Sequence, residues 1–155
     1  MDQIKDNEVA PVLAECEAEI KAPIQIVWQV LTDLEKWPEW NESVQEMHLQ
    51  GEVAIGTEFR WKTGGMRIRS RIEEITSPVS IVWSGRTMGI RAIHVWALIG
   101  TNESTSVWTG ECFYGIVASL LASPLRKSLA KALQQGMAAL KKDAEKRVRA
   151  GLSRS

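Results

Sequence analysis

Residues 90–114 read IRAIHVWALIGTNESTSVWTGECFY, two apolar runs joined by the tetrapeptide Thr101-Asn102-Glu103-Ser104. Runs of this kind around a turn-forming segment predict an antiparallel hairpin. A four-residue loop sets Gly100 opposite Thr105, and the register then follows back along both strands. Leu98 faces Val107, Trp96 faces Thr109, His94 faces Glu111 and Ala92 faces Phe113. Because side chains alternate, these residues share one face, provided neither strand carries a bulge. Ile93, Val95, Ala97 and Ile99, with Trp108, Cys112 and Tyr114, fall on the other. His94 and Glu111 are then a single potential ion pair on an otherwise apolar face.

Upstream lie four more strand-like runs, Val44–Gln50, Thr57–Lys62, Met66–Ile75 and Val79–Arg86. Gly51, Gly56, Gly64-Gly65, Ser77-Pro78 and Gly89 punctuate them, so six strands form a meander. Parity points Phe59, Trp61, Met66, Ile68, Ser70, Ile72, Ile81 and Trp83 inward and Arg60, Lys62, Arg67, Arg69 and Arg71 outward. Val12–Ile20 alternates as well and makes a seventh, half-buried strand. After Pro23, the spacing of Ile24, Val27, Trp28 and Leu31 predicts a short amphipathic helix to about Asp33. Trp37-Pro38-Glu39-Trp40 predicts a second short turn or helix.

Beyond Pro124, Leu125, Leu129, Leu133, Gly136, Leu140, Ala144 and Val148 recur at three- and four-residue steps, the signature of one long amphipathic helix. The expected architecture is α+β: a curved seven-stranded antiparallel sheet wrapped around a long C-terminal helix, with two short helices after the first strand. A strongly curled sheet would leave that shared core incompletely filled. The length of 155 residues predicts one domain over 1–150, a disordered tail at 151–155 and a frayed start over the first ten residues.

Composition narrows the function. Lys plus Arg total 19 and Asp plus Glu total 19, so no net field draws the chain to nucleic acid or to an anionic membrane. The balance conceals a gradient, with 13 acids and three Lys in residues 1–58 and nine basic residues in 126–155. The basic stretch reads as the solvated face of the last helix or as a surface for an acidic partner. Cys16 and Cys112 stand alone, His48 and His94 have no metal-ligand spacing, and no signal-like or membrane-spanning run occurs. A reducing, cytoplasmic setting with no metal and no cofactor is expected. The excess of seven Trp over two Phe and one Tyr is the compositional oddity.

The text Ile20-Lys21-Ala22-Pro23, Val27-Trp28, Leu31-Thr32-Asp33 and Trp37-Pro38-x-Trp40 resembles the START-like helix-grip (SRPBCC) superfamily, in its polyketide cyclase/dehydrase and lipid-transport branch. Gly51, Gly56-Thr57-x-Phe59, Pro78, Trp83-x-Gly85, His94-x-Trp96, Phe113-x-Gly115, Gly136 and Leu140-Lys141 continue the likeness over roughly residues 12–148. It implies a deep apolar cavity between sheet and long helix, entered near the short helices and loops. Members include carriers, quinone-binding proteins, receptors and cyclases, so the fold alone does not choose among them.

The residues expected to contact a ligand are Trp40, Phe59, Trp61, Ile68, Ser70, Trp83, His94, Trp96, Thr109, Phe113 and Leu133. Trp61, Trp83 and Trp96 fit a packed core as well as a cavity wall, and Trp37 and Trp40 fit a packed corner as well as a mouth. His94 and Glu111 fit a satisfied buried pair or a general acid–base pair. Three functions remain open: binding or transport of one hydrophobic small molecule such as a lipid, quinone or aromatic polyketide; a polyketide cyclase or dehydratase using His94 and Glu111; and a protein-interaction module. The outer apolar face of Ile93, Val95, Ala97 and Ile99, with Trp108 and Tyr114 from the neighbouring strand, predicts a homodimer or partner contact.

Overall fold

The first strand, β1 (Val12–Ile20), lies beside the last in a computed structural model that describes residues 9–152. The expected disorder at 153–155 and most of the frayed start fall outside those residues. After β1 come α1 (Ile24–Thr32), a 3₁₀ turn (Leu34–Lys36) and α2 (Trp37–Trp40). The meander follows as β2 (Val44–Leu49), β3 (Glu58–Thr63), β4 (Met66–Thr76), β5 (Ser80–Thr87), β6 (Ile90–Gly100) and β7 (Thr105–Tyr114). All seven strands form one antiparallel sheet in the order β1-β7-β6-β5-β4-β3-β2.

The β6–β7 hairpin has the register that its loop predicts, from Gly100 opposite Thr105 to His94 opposite Glu111 and Ala92 opposite Phe113. Thr101 closes the loop, its hydroxyl accepting from the N–H groups of Glu103 and Ser104. Two irregularities escape sequence parity, one between Val44 and Glu46 and one between Ile72 and Glu74. The second frees Glu73 to accept a 2.7 Å hydrogen bond from the Ser84 hydroxyl.

The long helix differs at its start. It runs as α4 from Ala122 to Leu152, two residues before Pro124, and α3 (Ile116–Leu120) precedes it. Proline is tolerated there because the first helical N–H groups have no intrahelical partner. Gly115, at φ +111°, turns the chain from β7 into α3. Gly151 and Leu152, placed in the tail by the sequence, belong to α4. Leu129, Leu133, Met137, Leu140 and Ala144 are buried along one side of α4. That stripe packs on β1 and α1, so helix and sheet share a core.

On the convex face Ile93, Val95 and Ala97 are half-buried and Ile99 is exposed. Trp108 lies over Gly110, where a Cβ would come within 2.5 Å of Cη2, and its Nε1 donates to Glu15. The Trp108 ring thus covers part of this sheet face. Cys16 and Cys112 sit on opposite faces, paired in register with Thr109 and Leu13, and both are free thiols.

Candidate functional site

Sheet curvature leaves a cavity of about 170 Å³ between β3–β7 and the N-terminal half of α4. Of the residues expected at the site, Trp40, Trp61, Ile68, Ser70 and Trp83 line it. His94, Trp96, Glu111, Phe113 and Leu133 complete the wall from β6, β7 and α4. Phe59 and Thr109 share the inner face but do not reach the cavity. Phe59 is fully buried, with its ring 6.5 Å from Trp37 and 5.9 Å from Trp83. Thr109 lies beneath His94, bonded to it. Parity fixes a face; it does not fix depth.

Trp37, Gly85, Ala92 and Leu129 also line the cavity. Trp37 is the aromatic hub, 5.4 Å from Trp83, 5.8 Å from Trp61 and 6.2 Å from Trp40. Its Nε1 donates to the Leu31 carbonyl at 3.0 Å, which holds α2 against the end of α1. The Trp37-Pro38-x-Trp40 text marks this place without revealing that both indoles face one cavity. Gly85, in Trp83-x-Gly85, leaves room that a side chain would occupy. Trp61 is anchored by a 3.0 Å bond from Nε1 to the Ser70 hydroxyl.

The polar end of the cavity is built by β6 and β7. Thr109 donates its hydroxyl to the Val95 carbonyl at 2.9 Å, so its oxygen accepts from His94 Nε2, 2.8 Å away. That fixes the proton on Nε2 and leaves Nδ1 as an acceptor. Nδ1 faces Glu111 Oε2 at 3.4 Å, long for a hydrogen bond. Burial disfavours the charged form of each group. The His94 imidazole is pushed down to about 3 and the Glu111 carboxyl up to about 8. At neutral pH the potential ion pair is therefore a neutral pair, with the proton on Glu111. His94 is also held between indoles, 4.8 Å from Trp83 and stacked on Trp96 at 5.5 Å.

Among the described residues, three buried nitrogens of this wall have no hydrogen-bond partner: Trp40 Nε1, Trp96 Nε1 and His94 Nδ1. Orphaned buried polar groups are uncommon, because each forfeits its hydration without replacement. Two of these are N–H donors and the third is an acceptor beside a protonated carboxyl. The wall can therefore hold an apolar ring system, a turn of these side chains would aim the nitrogens at oxygen atoms on it, and Glu111 can supply a proton. Among the described residues no group of three or more His, Cys, Asp or Glu could hold a metal, and no helix is long and apolar enough to cross a membrane.

The family model described as polyketide cyclase/dehydrase and lipid transport matches residues 12–145. No curated protein matches the sequence. Among solved structures, a hypothetical protein of Helicobacter pylori superposes with a TM-score of 0.79 at 18% identity, covering 90% of this chain and 91% of its own. The Zhui aromatase/cyclase of Streptomyces sp. R1128 superposes at 0.72 and 18%, covering 90% and 96%. A START superfamily protein of Mycobacterium smegmatis gives 0.60 and 14%, covering 78% and 93%. At these identities the likeness concerns the fold.

Proposed function

The chain belongs to the polyketide cyclase/dehydrase and lipid-transport family, and from that premise we propose that it binds one hydrophobic small molecule carrying carbonyl or hydroxyl oxygens. The observation that carries this reading is the set of unpartnered nitrogens on Trp40, Trp96 and His94 in an otherwise apolar, aromatic wall. A plain hydrocarbon tail would leave both indole N–H groups unsatisfied, whereas a quinone or aromatic polyketide would satisfy them. Size points the same way. A cavity of about 170 Å³ is close to an engineered one of roughly 150 Å³ that takes benzene. One or two rings fit within, and any longer chain extends through the mouth.

Five of the seven tryptophans, Trp37, Trp40, Trp61, Trp83 and Trp96, line the cavity, so fluorescence reports occupancy directly. Titration with a small naphthoquinone is expected to quench emission saturably at micromolar concentration, with weaker affinity in Trp96→Phe. An absence of saturable quenching by quinones, hydroxylated aromatics and extracted lipids alike would overturn the reading.

A second reading is supported by the neutral His94–Glu111 pair and by the fold shared with an aromatase/cyclase. Protonated Glu111 would donate its proton to a ketone oxygen of a bound polyketide while the neutral His94 Nδ1 takes a proton from the α-carbon, leaving the enol, a carboxylate and an imidazolium. Loss of turnover in Glu111→Gln with retained binding would select this reading over pure carriage.

A further inference from the structure

The cavity mouth carries a surface that ligand binding alone does not explain. The lining reaches the surface at the exposed Met66, Ser128 and Ala132, and it includes Thr63 and Thr87 at the ends of β3 and β5. Apolar side chains collect at this end: Met88, Ile116 and Leu120 are each more than three-quarters exposed. Met88 directly follows Thr87 in the β5–β6 turn, and Gly89 abuts Val117 of α3, where a Cβ would stand 3.1 Å from Val117 Cγ2. The turn and α3 thus form one continuous apolar lip.

Met88 is informative because the fold does not ask for it. Thr87 pairs with Ile90, and Met88 and Gly89 between them have φ of +47° and +77°, a two-residue hairpin turn of the left-handed type. Such a position favours Asn, Asp or Gly. Methionine brings neither that preference nor burial, so its apolar side chain is accounted for by something it meets outside the fold.

Cations flank the lip on both sides. Across the convex face Arg60 stands opposite Arg69, Arg69 opposite Arg86 and Arg86 opposite Arg91, a ladder through four adjacent strands. Arg91 also lies over the Tyr114 ring, 6.0 Å from its centroid. On the other flank α4 brings Arg126, Lys127 and Lys131, and no acidic residue occurs between Glu111 and Asp143. Among the described residues the acids at this end include Glu42, beside lining Asn41, Glu46, which pairs with Arg67 at 3.7 Å, and Glu111 within the lining. The zero net charge of the chain hides this local surface.

We propose that this end docks on an anionic phospholipid bilayer, with Met88, Ile116 and Leu120 entering the headgroup boundary and the flanking cations facing lipid phosphates, so that the cavity opens onto the membrane. An acidic protein would match the cations. The apolar lip between two cationic flanks instead matches the layering of phosphate over hydrocarbon. The inference stands independently of which ligand the cavity holds.

Cosedimentation of the full chain with vesicles of phosphatidylcholine alone, or mixed with phosphatidylglycerol, tests it. Binding is expected only to the mixed vesicles, reduced about tenfold or more by Arg60→Gln with Arg69→Gln, since each cation near the surface is worth about fivefold. Ile116→Ser with Leu120→Ser is expected to reduce it comparably. Met88→Asn is expected to weaken binding while raising the melting temperature, which separates docking from folding. Failure to bind the mixed vesicles would overturn the proposal. So would binding that the lip variants leave unchanged, because that would be charge attraction alone.

Discussion

His94 Nδ1 and Glu111 Oε2 face each other at 3.4 Å across β6 and β7, at the polar end of the cavity, and burial keeps both groups uncharged. The pair therefore shapes stability against pH from both sides. Glu111 is raised to about 8 from 4.5, so the unfolded chain releases a proton that the folded one keeps, and stability falls as pH rises from about 4.5 through 8. His94 is lowered to about 3 from 6.5, so stability falls as pH drops from about 6.5 toward 3. Between about 4.5 and 6.5 the two trends cancel, so denaturant melts across this range are expected to show a broad maximum there. Glu111→Gln should flatten the alkaline limb and His94→Gln the acid one. A carboxyl resonance of Glu111 that titrates near 4.5 in NMR would contradict the neutral pair.

Phe59 and Trp83 touch, yet only Trp83 reaches the cavity. Phe59→Ala is expected to cost about 3–5 kcal/mol by leaving a void in a close-packed core. The gentler Phe59→Leu should lower the melting temperature with ligand affinity near wild type. Trp83→Phe should weaken binding and blunt the fluorescence response. Equal losses of affinity in Phe59→Leu and Trp83→Phe would contradict this division of labour.

Gly85 marks where the wall has been kept thin. A Cβ there would sit 3.4 Å from Ile68 Cγ2 and from Ser70 Oγ, contacts that a methyl group can make with little adjustment. Gly85→Ala is expected to fold with stability close to wild type, whereas Gly85→Leu should fill the cavity and abolish binding. Thermal melting beside a fluorescence titration checks both, and undiminished binding by Gly85→Leu would remove Gly85 from the wall.

Much of this arrangement is legible in the residues themselves. The Thr101–Ser104 loop sets the pairing of His94 with Glu111, because loop length and alternation leave one register. The α4 stripe is equally plain from Leu129, Leu133 and Leu140. What stays hidden has physical reasons. The irregularity after Ile72 leaves no local mark, since an extra strand residue needs no special side chain. The apolar run Ile116–Leu121 has no decisive period, so α3 is not separable from the strand before it or the helix after it. Trp37 and Phe59 read as similar apolar residues, and only packing shows that one lines the cavity and the other backs it. The neutral state of the His94–Glu111 pair likewise depends on depth, which pairing alone does not reveal.

Native mass spectrometry of the freshly purified chain, with extraction of whatever is bound, tests the central claim most directly. The expected result is one noncovalent small-molecule adduct per chain, extracted as an oxygen-bearing hydrophobic compound and missing from Gly85→Leu. A wild-type chain that gains no adduct even after incubation with quinones, hydroxylated aromatics or lipids, or an adduct that persists undiminished in folded Gly85→Leu, would contradict it.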